Sequence, residues 1–423
     1  MAYSSVGLSD ISVYVPAPKI DLSTILDYRS KDNPKLDRRL RRAVEKTGQA
    51  AIRFPELWQD NATLAAEATR LLLGQNPGMD LSRLRFLSVG TETSIDHSKP
   101  IAAYVEGMLQ RADIPVPSTI STFQVQHACA GGTIAMLGVG AMLQVAARDE
   151  AGIVVSSDIA RYAAPSTAEI TQGAGAAAML VETDPKLIRL DMETVGFASN
   201  DVDDFFRPLG STIAKVKGGY SMQCYFEALE TAFQDHCNRV GKSPDEVLSS
   251  TDLFVLHVPF KTMALSAIKR MLVHHLHLND DEVTNFLVDR DFEASIAPAA
   301  EIGNTYTAST FVSLAFLLQS RYAALGNDIV GKRVMLASYG SGNTMVVAGG
   351  EVAEQAPSVI EQWDLDRVWT DAADHKMEQY LKWLDSPLPP DAYNQAISAA
   401  TIPSDTFYLA GIREDGYREY EKR

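Results

Sequence analysis

Cys129 stands where a strand-like run, TFQVQ, gives way to a glycine pair and a long apolar segment, VQHACAGGTIAML. A cysteine at that junction has two readings. It is a small buried filler, or it is a nucleophile at a helix N-terminus, where free backbone N–H groups and the helix dipole favour a thiolate and hold an oxyanion. Other chemically useful residues stand at comparable places. Glu92 ends the run RFLSVGTE, where a carboxylate serves as an N-cap partner or a general base. His257 stands at the end of the strand-like run in LFVLHVP, as a structural imidazole or a partner for the cysteine. Asn304 follows a glycine in EIGNTYTAS, and Ser341 lies between two glycines in SYGSGNT; both sequences also suit ordinary turns. Together a thiol, a carboxylate, an imidazole and neutral donors are the groups that thioester chemistry requires.

These residues must be carried by an alternating chain. RFLSVGTE (85–92), TFQVQHA (122–128), AGIVVSSDIA (151–160) and AAAMLVE (176–182) read as strands. Helical spacing runs through Lys99–Arg111 and Gly132–Arg148. The second half repeats the scheme with LFVLHVP, a helix through Met263–Leu276, then VMLASYG and TMVVAGG. GAGAAAMLVE (Gly173–Glu182) and GSGNTMVVAGG (Gly340–Gly350) echo one another, each with Gly-x-Gly before a small-residue apolar strand. The pattern predicts a duplicated α/β fold with mixed internal sheets. The halves fall at 1–185, carrying Glu92 and Cys129, and 186–423, carrying His257, Asn304 and Ser341. Beyond Pro357 the chain turns polar: Trp369–Leu384 reads as one surface helix and YREYEKR as a mobile tail.

Composition narrows the classes. The 423 residues are 46% apolar and 22% charged, ordinary for a globular protein, and the net charge of −16 argues against a nucleic-acid surface. The exception is Arg29–Lys46, with eight basic residues against three acidic ones: a solvated helix face, or a docking patch for a polyanion or an acidic carrier protein. No apolar run reaches the roughly 18 residues of a membrane span, and the N-terminus lacks the charged start and apolar core of a signal peptide. Three cysteines make no disulfide framework, which suits a reducing cytoplasm, and Cys224 and Cys237 fall on helical stretches as core residues. The nearest approach to a metal pattern is His274, His275 and His277 in VHHLHL, and no metal site is expected there.

Nine blocks in order extend the pattern: GTETSIDHSKP, ACAGGT, SSDIARYA, TQGAGAAAML, DDFFRP, YSMQCY, LHVPF, GNTYTAS and SYGSG. Through them most of the chain resembles the hydroxymethylglutaryl-CoA synthases, members of the thiolase-like condensing enzymes. The resemblance implies a thiolase-like duplicated αβαβα fold and a homodimer. It implies Cys129 as the acetylated nucleophile, Glu92 as general acid/base and His257 as the residue orienting the second thioester. Asn304 and Ser341 would lie beside that site, and Lys261 would belong to substrate binding. The implied reaction joins acetyl-CoA to acetoacetyl-CoA, or to a β-ketoacyl group on an acyl carrier protein as in polyketide β-branching, with no cofactor. The chain departs from the family at Ala130, where tyrosine or lysine is usual, which predicts a roomier pocket beside the thiol. It departs again where Lys261-Thr262-Met263 shifts a lysine by one position and Leu265 and Ser266 replace lysines that hold CoA phosphates. KTGQAAIRFPELWQDNATLAAEA is similar instead to initiating ketoacyl synthases, which condense or transfer acyl groups with Cys, His and Asn, here Cys129, His257 and Asn304.

Overall fold

The computed structural model describes residues 5–31, 33–146 and 149–423. The chain start, Asp32 of the basic stretch and the last two residues of the predicted helix Gly132–Arg148 lie outside them. The strands that matter are β1 (Val6–Tyr14), β2 (Leu84–Gly90), β3 (Ser121–Val125), β4 (Ala151–Ala160), β5 (Gly173–Thr183), β6 (Ile188–Leu190), β7 (Gly196–Ser199), β8 (Leu253–Leu256), β9 (Arg333–Gly340) and β10 (Thr344–Val352). In the first half the order is β1-β5-β4-β2-β3, with the first two pairings antiparallel and the last two parallel. In the second half β10 pairs antiparallel with β6, β7 and β9, and β9 pairs parallel with β8. The connectivity is therefore repeated, and the two Gly-x-Gly echoes precede or begin equivalent strands, β5 and β10. A short antiparallel pairing, Gly7 with Arg189 and Leu8 with Ile188, joins the halves into one ten-stranded sheet.

The strands are apolar on both faces because helices cover both. Val154 of β4 points to one core, and Ile153 and Val155 point to another; Leu253 and Val255 of β8 oppose Phe254 and Leu256 in the same way. The central core takes Met136, Val139 and Leu143 from one helix (Gly131–Gln144) and Phe311, Leu314 and Leu318 from another (Ser309–Leu325). Helices Asn61–Gln75 and Ile101–Arg111 cover the outer face of the first half. Gly218–Val240, Lys261–Leu276 and Phe292–Ile302 cover that of the second. The five layers are the expected αβαβα stack. Cys224 and Cys237 are buried in the outer core of the second half. Among the described residues no helix is long and apolar enough to cross a membrane.

Two expectations about the C-terminal region are corrected. Trp369–Leu384 is not one surface helix. It takes in the end of a short helical turn (Arg367–Thr370), a two-residue strand pairing Pro18–Lys19, and a helix, Met377–Leu384, that buries Met377, Tyr380 and Trp383 against Ile20, Ile25 and Phe54. Their i, i+3 and i+6 spacing is an apolar stripe with a small core to fill. Nor is the terminus a loose tail. Arg418–Lys422 pairs antiparallel with Phe407–Ile412, and its alternation turns Tyr420 inward while Glu419 and Glu421 face solvent. Asp60 clamps it, accepting from the Tyr420 hydroxyl at 2.7 Å and from Arg418 Nη1 at 2.6 Å. In the basic stretch, the helix Pro34–Thr47 buries only Leu40, so most of its face meets solvent.

Phe407 anchors this hairpin with no exposed surface. Phe407→Ala should destabilise the protein by about 3–5 kcal/mol. Urea unfolding reads this directly, and a loss below about 1 kcal/mol would show that the hairpin is not part of the cooperative core.

Candidate active site

The nucleophile corner is a sharp turn between β3 and the helix that starts at Gly131. Ala128 adopts φ +40°, a left-handed conformation unusual for alanine, and Ala130 N–H donates to His127 O at 3.0 Å. The corner is packed where no side chain fits. A Cβ on Gly132 would meet Ser156 Oγ at 1.9 Å, and one on Gly340 would meet His127 O at 2.3 Å. Cys129 is buried here, and its Sγ donates to Glu92 Oε1 at 3.2 Å. Thr91 N–H donates to Val125 O at 3.1 Å, tying the Glu92 loop to the nucleophile strand.

Glu92 itself is held by residues to which the sequence reading assigned no role. Arg207, from DDFFRP, donates through Nη1 to the Glu92 backbone carbonyl at 2.5 Å and lies 3.5 Å from Oε2. Asp158, from SSDIARYA, accepts the Glu92 N–H and Thr93 N–H on Oδ1, both at 3.0 Å, with the Thr91 and Thr93 hydroxyls on the same oxygen. Its Oδ2 takes the N–H and hydroxyl of Thr307, at 3.0 and 2.6 Å. The signal for Asp158 was a charged residue inside an apolar strand. Arg207 shows only as a cation after two phenylalanines.

The second-half residues converge through one segment, Gly303–Ser309. Asn304 Oδ1 accepts Tyr306 N–H at 2.8 Å, and its side chain lies against Tyr162. Thr307 reaches Asp158, and Ser309 Oγ lies 2.5 Å from His257 Nδ1. Tyr225 donates to the His257 carbonyl at 3.0 Å. Tyr162, Phe205 and Tyr306 pack edge-on around Cys129. The Ser341 turn is anchored by buried Asp204, which accepts from the Tyr339 hydroxyl at 2.8 Å and Gly342 N–H at 2.9 Å.

A cavity of about 1120 Å³ opens beside this cluster, lined by Glu92, Arg207 and Ser341 among others; Cys129, His257, Asn304 and Lys261 are not on its wall. Cys129 sits one layer behind Glu92, and His127 and Ala128 face the cavity in its place. Ala130 is fully buried behind the corner, against Gly340, so its small side chain enlarges no space in this cavity. Lys261 begins its helix away from the cavity and is ion-paired with Glu293. Beside it, Thr262 hydrogen-bonds the Lys46 carbonyl at the end of the basic helix. Of the three clustered histidines, His275 Nε2 contacts Glu230 Oε1 at 2.7 Å and His274 Nδ1 lies 3.6 Å from it, whereas His277 ends its helix in a left-handed conformation.

Burial sets the electrostatics, and it corrects one expectation. The Cys129 thiol is pushed well above its ordinary range, by burial and by the adjacent Glu92 carboxylate. The helix N-terminus therefore does not keep a resting thiolate; the thiol shares its proton with Glu92. Burial raises the Glu92 carboxyl from 4.5 to about 7, against the opposing pull of Arg207 and with Asp158 adding to the rise. His257 is driven the other way, to about 3, so its imidazole is neutral at physiological pH.

Between pH 4.5 and about 7, folded Glu92 keeps a proton that the unfolded chain releases. The native state binds more protons there, so this group's contribution to stability falls as pH rises and levels off above about 7. His257 has the opposite sign, but it is common to wild type and Glu92→Gln and cancels in their difference. Wild type should therefore lose, relative to Glu92→Gln, on the order of 3 kcal/mol of unfolding free energy from pH 4.5 to 8. Parallel stability–pH curves in urea would refute this.

Known proteins share this architecture. The family model described as hydroxymethylglutaryl-coenzyme A synthase N terminal matches residues 3–186, and its C-terminal counterpart matches 188–296 and 280–423. The chain is 28% identical over 354 residues to the hydroxymethylglutaryl-CoA synthase of Enterococcus faecalis, covering 82% of this chain and 83% of that one. It is 24% identical over 461 residues to that of Haloferax volcanii, covering 99% of both. A solved structure, MvaS in complex with 3-hydroxy-3-methylglutaryl coenzyme A, superposes with a TM-score of 0.84 at 31% identity over the full length of both chains. The chain belongs to the hydroxymethylglutaryl-CoA synthase family.

Proposed function

We propose that the protein is an acyltransferase that condenses an acetyl group held on Cys129 with a β-ketoacyl thioester, giving a 3-hydroxy-3-methylglutaryl thioester. The observation that carries the reading is the buried contact between Cys129 Sγ and a glutamate whose proton affinity lies near neutrality. Cys129 attacks the carbonyl of acetyl-CoA; the sulfur–carbon bond forms, CoA leaves as its thiol, and Glu92 relays the proton. Ionised Glu92 then takes a proton from the acetyl methyl group. The carbanion adds to the acceptor's ketone, and protonated Glu92 returns the proton to the new alkoxide. Neutral His257, with Nδ1 engaged by Ser309, offers Nε2 to the acceptor carbonyl, and Asn304 belongs to the same segment as Ser309. Backbone N–H groups at the Cys129 and Ser341 turns supply the oxyanion site. Water finally releases the acyl group from Cys129. No step needs a metal or cofactor.

The acceptor arrives on CoA or on an acyl carrier protein. Lys261 tied to Glu293, Leu265 and Ser266 in place of lysines, and an exposed basic helix beside them support a carrier protein. A decarboxylative ketoacyl synthase would use Cys129, His257 and Asn304 and leave Glu92 idle; the Cys129–Glu92 contact favours the first reading. Three unpaired cysteines suit the cytoplasm.

Intact-mass measurements separate the steps. Acetyl-CoA should add an acetyl group to wild type and Glu92→Ala but not to Cys129→Ala, and Glu92→Ala should condense about 10²–10⁴-fold more slowly. Acetoacetyl-CoA and acetoacetyl carrier protein are offered in parallel; failure with both rejects the reading, and normal condensation by Glu92→Ala favours the ketoacyl synthase. We also propose a homodimer, supported by β3, which ends the sheet with its outer edge unpaired among the described residues. Light scattering should give twice the chain mass, and a monomer at micromolar concentration would reject it.

A further inference from the structure

The guanidinium of Arg207 is only half used. Nη1 serves Glu92, but Nε and Nη2 are buried with no partner among the described residues. These two nitrogens lie on one edge of the guanidinium plane, the edge whose parallel N–H bonds match the two oxygens of a carboxylate. Phe205 and Tyr306, with ring centroids 5.8 and 5.6 Å from Cζ, flank the group, and Arg207 lines the cavity. Buried donors on a cation are rarely left without a partner, because desolvation is then uncompensated. We infer that the Nε–Nη2 edge of Arg207 is a carboxylate subsite, which receives the free carboxylate of the 3-hydroxy-3-methylglutaryl product.

This rests on the proposed reaction and extends it. Neither the acetyl nor the acetoacetyl group carries a carboxylate, and a thioester carbonyl presents one oxygen to a two-pronged donor. The carboxylate appears only when water replaces sulfur on the acyl carbon: the C–O bond forms, the C–S bond breaks, one water proton goes to Cys129 and the other to solvent. That carbon is bonded to Sγ, which is 3.2 Å from Glu92 Oε1, and Arg207 Nη1 is 3.5 Å from Oε2 of the same carboxyl. Arg207 and the sulfur therefore flank the one Glu92 carboxyl beside which the charge is created. It separates a released product from an acyl group still on sulfur, and makes Arg207 a specificity residue.

The test compares 3-hydroxy-3-methylglutaryl-CoA with 3-hydroxybutyryl-CoA, which lacks the carboxylate, by calorimetric titration of wild type, Arg207→Lys and Arg207→Gln. Wild type should bind the first at least about 10-fold more tightly, and both variants should bring the ratio to within about 3-fold; lysine keeps the charge but not the fork. Should Arg207→Gln fail to fold, the ratio for Arg207→Lys decides. A ratio unchanged in the variants, including equal weakening of both ligands, overturns the inference, because Arg207 then only shapes the pocket. A wild type that acetylates and condenses yet shows no carboxylate preference overturns it alone. A wild type that binds neither thioester and does not condense overturns the proposed function with it.

Discussion

Asp158 is the joint on which the site depends. It is fully buried, and each of its oxygens collects donors from a different half of the chain: Oδ1 from Thr91, Glu92 and Thr93, Oδ2 from Thr307. Burial raises its proton affinity, and the crowd of hydrogen bonds pulls it back. A carboxylate so placed cannot be removed cheaply, because every donor would then lose its partner at once. It also fixes Glu92 from behind, through the backbone, which leaves the Glu92 side chain free to face Cys129. The segment that supplies Thr307 carries Asn304 and Ser309, so one buried acid registers the base, the amide and the imidazole's partner.

Burial then divides the ionisable groups by role. The same loss of water that raises the Glu92 carboxyl to about 7 lowers His257 to about 3. One group is thereby poised to exchange protons near neutrality, and the other is held as a neutral hydrogen-bonding imidazole. The high proton affinity of the Cys129 thiol belongs to the same setting, since a second negative charge beside Glu92 in a dry pocket is unfavourable. Arg207 moderates the field without neutralising it: it is 3.5 Å from the carboxylate and spends its shortest bond on the backbone carbonyl.

The fold was legible wherever apolar runs are bounded by turn residues. The strand read at 151–160 is β4 residue for residue, and the Gly-x-Gly echo marks equivalent strands of a repeated connectivity. The C-terminal region was misread because its polarity is an average. Met377, Tyr380 and Trp383 bury one stripe of a helix that follows a polar stretch and carries Glu378 and Lys382, and Tyr420 is one inward residue in a charged strand. Mean polarity hides a single buried face when the partner surface comes from elsewhere in the chain, here Phe54 and Asp60.

By itself, the sequence determined which groups are available and on which ends of which strands they stand, because strand ends and glycine turns are local properties of φ, ψ and side-chain pattern. Ordered motifs were enough to indicate the family. Only the tertiary structure decided the protonation states and the partners. Whether Cys129 rests as thiol or thiolate, whether Arg207 keeps a free edge, and whether Lys261 faces a ligand or Glu293 all turn on distances between residues far apart in the chain. Electrostatic energies depend on those distances and on the exclusion of water, and neither exists until the layers have closed.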